Sequence, residues 1–285
     1  MTHFSRIVAL GAAAFAALAL AGCQKDTLTT TKTNYKQTGM VAVIKGEAKG
    51  AKTVRYQAPS VKGSVKVNSD AFVITVPMTQ TKQTVTLKAG DLTHKVTVRA
   101  AKALASYQKV QTAYNQAIIA TALPASIQKQ LKAATSAKDV DVTKLSPAEQ
   151  SLMERQRQNV AKAMARAKVA TKDQQMPDTV SGIKQVLDDK SGTVRMNVQD
   201  GQVLGITDIV PLKALKDKAA QTAFGTRFAL LTSATGADAK SVLKQFNQAT
   251  KDADGSATTI ATITSNGVKF NVGFSTSDLY VYITK

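Results

Sequence analysis

The sequence predicts a multi-domain chain: a small all-β sandwich over 40–100, a basic helical hairpin segment over 101–172, and an α+β domain with an antiparallel sheet over 173–285. Three observations carry this reading. In the first region, short alternating apolar and polar runs recur between turn residues. In the second, apolar residues fall at spacings of three and four, and a full N-terminal capping signature follows. In the third, turn dipeptides separate strand-like runs that bracket helical stripes.

Residues 1–22 read as a signal peptide. Arg6 supplies a positive start, and 7–20 is an apolar stretch of fourteen residues. A bilayer core takes about 20 helical residues, so this length fits a cleaved segment instead. Next comes Leu20-Ala21-Gly22-Cys23, which resembles the lipobox of bacterial lipoproteins. That resemblance implies cleavage before Cys23 and acylation of its thiol with palmitate-type chains. The protein would then be a surface lipoprotein, held by its lipid anchor at the extracytoplasmic face of the cell membrane. Lysine richness and the Thr-rich stretch that follows lean towards a Gram-positive cell. Cys23 is the single cysteine. Once it is acylated, a disulfide framework, thiol catalysis and cysteine-ligated metals are excluded. Residues 23–39 then read as the lipidated cysteine and a polar, flexible tether with little to bury.

The formal net charge is +19, unevenly spread. Residues 40–100 carry ten basic and three acidic groups, and 101–172 carry twelve and four. Residues 173–285 carry twelve basic and eleven acidic groups and are nearly neutral. A basic surface suggests nucleic acid, but a secreted chain meets none. The polyanions outside a membrane are anionic lipids and phosphate-bearing wall polymers. Each Lys or Arg near an anionic bilayer contributes about 1 kcal/mol. The alternative is a solvated lysine-rich surface that aids solubility.

Strands are expected at 40–44, 53–56, 64–67, 72–76, 84–87 and 95–98. The run Asp70-Ala71-Phe72-Val73-Ile74-Thr75-Val76-Pro77, with QTVTLK and HKVTVRA after it, resembles Ig-like modules of Gram-positive surface lipoproteins. This implies an Ig-like β-sandwich acting as a spacer or interaction module, with no site residues.

Leu104, Tyr107, Val110, Tyr114, Ile118 and Thr121 form one helical stripe, which Pro124 ends. A short helical turn is expected over 125–131. Ser146-Pro147-Ala148-Glu149 opens another helix with a capping box. Its apolar face is Met153, Val160, Met164 and Ala167, and the two helices are expected to pair. Arg155, Lys162 and Arg166 recur on another face. They read either as a polyanion-binding stripe or as a solvated helix face.

Further on, 193–198 and 202–206 flank Asp200-Gly201, which suits a tight hairpin. Pro211 is expected to start a helix carrying Phe224, Phe228 and Leu231. A second helix over 237–249 turns Val242, Leu243 and Phe246 inward. Strands at 259–264, 268–274 and 279–284 close the chain, with a type I′ turn at Asn266-Gly267.

The chemistry is sparse. His94 is the sole histidine after residue 22, too few for a zinc site and the sole candidate base for a Ser-His-Asp triad. Ser-x-x-Lys occurs at Ser106, Ser126, Ser181 and Ser241, which 30 lysines explain by chance. Lys190-Ser191-Gly192 lies too close to Ser181 to face it across a cleft, and no Ser-Asp-Asn follows. Asp252-Ala253-Asp254-Gly255 lacks the ligands of a calcium loop. Asp188-Asp189 point to opposite faces of a strand, so they form no glycosidase pair.

The expected role is therefore non-enzymatic: a membrane-anchored surface module for envelope binding, adhesion or scaffolding. No catalytic residues, metal or cofactor are expected. Its partners would be the membrane, through the anchor, with anionic lipids, wall polymers or an envelope protein beyond it. A solute-binding lipoprotein of a transporter is the alternative, although its repeated β-α-β units are missing. An envelope hydrolase using Asp, Ser or Lys stands third.

Overall fold

The computed structural model describes residues 25–136, 145–252 and 259–285. Cys23 and residues 1–22 lie outside them.

Eight strands build the N-terminal unit: β1 (Thr27–Thr30), β2 (Asn34–Tyr35), β3 (Val41–Lys49), β4 (Thr53–Ala58), β5 (Val61–Lys66), β6 (Ala71–Pro77), β7 (Gln83–Ala89) and β8 (Leu92–Val98). One sheet has the order β1-β3-β6, the other β2-β8-β7-β4-β5. All pairs are antiparallel except β2 with β8. The period-two pattern explains this: Ala42, Ile44, Ile74, Val76, Val85 and Leu87 are fully buried between the sheets, while their chain neighbours face out. Each large aliphatic side chain so buried contributes about 1.5–3 kcal/mol.

All six expected strand segments overlap these elements, with Met40 and Val67 lying one residue outside β3 and β5. The expected flexible tether does not survive over its length. Thr27–Thr30 pairs with β3, and Asn34–Tyr35 pairs with β8. Leu28 and Tyr35 are the reason, because both pack on the core. The Tyr35 hydroxyl also donates to the Lys45 carbonyl at 3.2 Å.

Next come β9 (Ala105–Ser106), α1 (Tyr107–Thr121), α2 (Ala125–Ser136) and α3 (Pro147–Ala170). Helix α1 starts later than its stripe suggests. Leu104 donates a backbone hydrogen bond to Val203, and Ser106 caps the helix by accepting from the Lys109 amide at 3.3 Å. The expected turn at 125–131 is a helix of twelve residues. At α3 the capping box forms as expected: Ser146 accepts from the Glu149 amide, and Glu149 accepts from the Ser146 amide.

The third region contains β10 (Gly182–Asp189), β11 (Gly192–Gln199), β12 (Gln202–Pro211), α4 (Lys218–Ala234), α5 (Ala239–Asp252), β13 (Thr259–Ser265), β14 (Val268–Phe274) and β15 (Asp278–Thr284). The sheet runs β10-β11-β12-β15-β14-β13, antiparallel throughout, with β9 also on β12. Asp200-Gly201 and Asn266-Gly267 all have positive φ, as type I′ turns require. Pro211 does not open a helix. It ends β12 opposite Asp278, and α4 begins at Lys218 with Asp217 accepting from the Ala220 amide at 2.7 Å. Asp is the stronger N-cap.

The expected pairing of the two helices forms in part. Tyr107, Val110, Tyr114 and Ile118 of α1 join the core of the C-terminal sheet, with Phe228, Phe246 and Phe270. α3 packs on the C-terminal end of α1 and on α2, where Ala167, Val160 and Met164 of its expected apolar face meet Ile119, Leu123 and Ile127. Helix α1 is therefore part of the α+β unit.

The two units meet through backbone-directed contacts. The Asn197 side-chain Nδ2 donates to the carbonyls of Met40 (3.1 Å) and Met78 (2.9 Å). The Gln37 side chain donates to Leu204 (2.6 Å), whose own side chain packs into the N-terminal core. Gly39, at φ +61°, lies under the Tyr282 ring, where a Cβ would come within 2.6 Å. These contacts sit at the end of the β unit where β3 begins and β6 finishes. The chain enters β1 at the other end, opposite Lys49.

Candidate functional site

The most constrained polar cluster surrounds Arg227 in α4. Helical spacing puts Arg227 on the inward arc beside Phe224, Phe228 and Leu231, and it is only 3% exposed. Its guanidinium takes Asp208 of β12 in a fork, Nη2 to Oδ1 at 2.7 Å and Nε to Oδ2 at 3.3 Å. Nη1 donates to Asp189 Oδ1 of β10 at 2.8 Å and to Ser191 Oγ at 2.6 Å. Ser191 in turn donates to Asp189 from its hydroxyl (2.5 Å) and its amide (2.7 Å). One cation thereby ties a helix to two strands two places apart in the sheet.

The electrostatics follow from burial. Asp208 is fully buried; loss of solvent pushes its carboxyl up, against the pull of Arg227. Asp189 also loses solvent, which acts upward, yet Ser191 and Arg227 outweigh this and hold it below the usual carboxylate range. For Arg227 desolvation acts downward, and attraction to Asp208 and Asp189 raises it further above its ordinary value. Burial likewise raises Tyr114.

A cavity of about 250 Å³ opens over this cluster, lined by Tyr114, Ile118, Asp188, Asp189, Thr226 and Arg227 among others. Asp173 and Asp188 make its mouth acidic. The donors of Arg227 are directed at Asp208, Asp189, Ser191 and nearby carbonyls, so no free fork faces the cavity for an anion. The arrangement is a buried clamp: its one hydroxyl–carboxylate pair, Ser191 with Asp189, has a fully buried hydroxyl, and its cation is satisfied.

The residues expected from sequence are scattered. Cys23 lies outside the described residues. Arg155, Lys162 and Arg166 are exposed on α3. Lys162 and Arg166 share a groove with Pro124, Ile127 and Gln130, whereas Arg155 stands apart and donates to the Ser151 carbonyl at 3.4 Å. His94 is half-buried within β8, and its Nε2 meets Thr30 Oγ1 at 2.9 Å, fastening β1 to the second sheet. Of the Ser-x-x-Lys serines, Ser106 is a helix cap and Ser126 lines the α3 groove. Asp188 accepts from Gln185, while Asp189 belongs to the clamp. Asp252 ends α5, and the rest of that acidic segment lies outside the described residues. Among the described residues no three His, Cys, Asp or Glu side chains converge to hold a metal, and no helix is long and apolar enough to cross a membrane.

Sequence reasoning missed Arg227 and Asp208, and it weighed Ser191 only within Lys190-Ser191-Gly192. A signal existed for the first two: Arg227 interrupts an apolar helical arc, and Asp208 interrupts the run from Ile206 to Val210. A charge inside an apolar pattern marks a buried pair.

No family model matches the chain, and no curated protein matches it. Among solved structures it is similar to the FMN-binding beta-glucuronidase from Facaelibacterium prausnitzii L2-6, at 11% identity and a TM-score of 0.24. That match covers 27% of this chain and 12% of the other. It is too slight to support any conclusion about fold or activity.

Proposed function

We propose that this chain is a lipid-anchored protein of the extracytoplasmic membrane face, acting by binding and not by catalysis. Cys23 carries the anchor, the Ig-like β unit is the spacer next to it, and the α+β unit is displayed at the spacer's other end. The observation that carries this reading is the opposition of the two ends: β1 enters the β unit beside Lys49, while Asn197, Gln37 and Gly39 join the units at the other end. Only Gln24, Lys25 and Asp26 separate Cys23 from the first strand. Four Cα steps of about 3.3–3.6 Å keep Thr27 within roughly 14 Å of the acylated residue. Two acyl chains hold stably where one is marginal. Ser191, whose hydroxyl donates to Asp189, is itself fully buried and also accepts from Arg227, so this hydroxyl is used within the clamp. The cavity over Arg227, at about 250 Å³, is smaller than the roughly 300–1,000 Å³ of ligand pockets, and the larger hollows of about 590 and 610 Å³ are more open grooves beside Arg55 and beside α3.

The test is metabolic labelling with a palmitate analogue, followed by fractionation. The wild-type chain is expected in the membrane fraction with label. Cys23→Ala is expected to lose the label and leave that fraction. Label or membrane retention unchanged by Cys23→Ala overturns the reading.

A further inference from the structure

The five-stranded sheet has an outer face of unusual chemistry. Cross-strand partners share a face of an antiparallel sheet, so the register identifies its members. Arg55 lies opposite Ser64 and Lys88, and Lys88 opposite Thr93. Gln57 lies opposite Lys62 and Thr86, and Thr86 opposite Lys95. Thr53 pairs with Lys66, and Thr84 with Thr97. Every one of these side chains is exposed or half-buried, while the alternate positions Val54, Val85, Leu87, Val96 and Val98 are buried. The face thus carries Arg55, Lys62, Lys66, Lys88 and Lys95, with Thr, Ser and Gln between them. It carries no carboxylate and no apolar side chain. None of the five cations is in an ion pair among the described residues.

Charge selection on this scale has a location. Glu47 and the turn residue Asp70 belong to the opposite, three-stranded sheet, and that sheet exposes Val73. That sheet also carries Lys45 and Lys49 beside Glu47, so the two outer faces of one β unit differ in density of positive charge and in polarity.

We propose that this basic face docks on an anionic bilayer surface, so that the β unit lies along the membrane. The proposal rests on the anchor at Cys23 proposed above. Three features favour a bilayer over a wall polymer. The face is broad, and the one open hollow in it, where Tyr56 lies beside Arg55, Lys62 and Lys88, is ringed by cations that can take single headgroups. The leash of roughly 14 Å keeps the unit at the membrane while exceeding the roughly 10 Å spacing of packed sheets, so the far sheet can still face the headgroups. The cations occupy three successive rungs, so all of them come within a Debye length of about 8 Å once the sheet lies flat. A flat pose also turns the α+β unit along the surface instead of straight away from it.

The experiment uses residues 23–285 with Cys23→Ser, so that no lipid contributes. Binding is measured by co-sedimentation with vesicles of equal parts phosphatidylglycerol and phosphatidylcholine, and with pure phosphatidylcholine. Binding to the anionic vesicles alone, falling as salt rises, is expected. Arg55→Gln/Lys88→Gln/Lys95→Gln is expected to weaken it about 100-fold, at about fivefold per charge. The equal charge change Lys213→Gln/Lys216→Gln/Lys218→Gln, on the α+β unit, is expected to stay within about twofold. Equal losses in both variants would mean net charge and not this face, and would overturn the proposal. So would a larger loss in Arg155→Gln/Lys162→Gln/Arg166→Gln on α3, or binding to purified poly(glycerol phosphate) without binding to anionic vesicles. The palmitate labelling of Cys23 is read separately, so failure of the anchor and failure of the face are distinct results.

Discussion

The two units of this protein treat charge in opposite ways. In the β unit the five cations of the larger sheet stand outside, and its core is built of Val, Ile, Ala, Leu and a few larger apolar side chains. The α+β unit is nearly neutral, yet it buries an arginine and an aspartate beneath a cluster of phenylalanines. Phe228 alone packs against Phe246 at 5.3 Å and Phe270 at 5.9 Å. The difference teaches that the net charge of a region says little about where its energetically decisive charges lie. A solvated cation face costs the fold almost nothing and can be altered freely. A buried pair is poor evidence of added stability, but it is costly to break because the survivor is left without solvent.

That contrast is most strongly broken at Arg227. Arg227→Met leaves Asp208 buried and alone, and is expected to destabilise the α+β unit by about 3–5 kcal/mol in denaturant titration. The deficit should shrink on acidification. Burial raises the Asp208 carboxyl, and without the guanidinium nothing opposes that rise. A group whose folded pKa lies above its unfolded value loses stability as pH rises through the folded pKa, so this variant should regain stability as pH falls towards the ordinary carboxylate range. A deficit independent of pH would mean that Asp208 finds another partner.

A comparable loss in the β unit requires an apolar deletion. Leu87→Ala, at a fully buried site, is expected to cost about 2–5 kcal/mol, whereas the Arg55, Lys88 and Lys95 substitutions should each stay within about 0.5 kcal/mol. Thermal melts of these variants check whether the charged face is dispensable for folding.

Asn197→Ala tests whether the units act as one. It strips a shared donor from the Met40 and Met78 carbonyls and is expected to cost about 1–3 kcal/mol. If the units are coupled, a single unfolding transition should split in two. A single unaltered transition would place the coupling in Gln37, Leu204 and Tyr282 instead.

The smallest effect is a gain. The Thr207 hydroxyl is buried without a partner. Thr207→Val keeps the shape and removes that hydroxyl, and is expected to stabilise by up to about 1 kcal/mol, read as a small rise in Tm. A loss would show that a water satisfies this group.

Much of the architecture was legible because it is local. Period-two alternation placed the strands of the β unit, and Ser146 with Glu149 placed the start of α3. Asp200-Gly201 and Asn266-Gly267 placed two hairpins, since positive φ at both turn positions selects those residues. Phe224, Phe228 and Leu231 declared the inward side of α4. Where competing local signals existed, the reading slipped. Pro211 suits a helix start and a strand end alike, and Asp217 decided between them. The polar stretch over 24–39 hid Leu28 and Tyr35, two apolar anchors among threonines.

The sequence by itself therefore determined most of the elements and their inward faces, and the resemblance at Cys23, because each depends on residues a few positions apart; β1, β2 and β10 gave no such local signal. Tertiary structure alone decided which elements share a core. It gave α1 to the C-terminal sheet and left α3 on a small cluster of its own. It brought Arg227 to Asp208 and Asp189, 19 and 38 residues away. It also gathered the cations of four strands onto one face, since alternation tells which side of its own strand a lysine takes but not which strands will lie beside it.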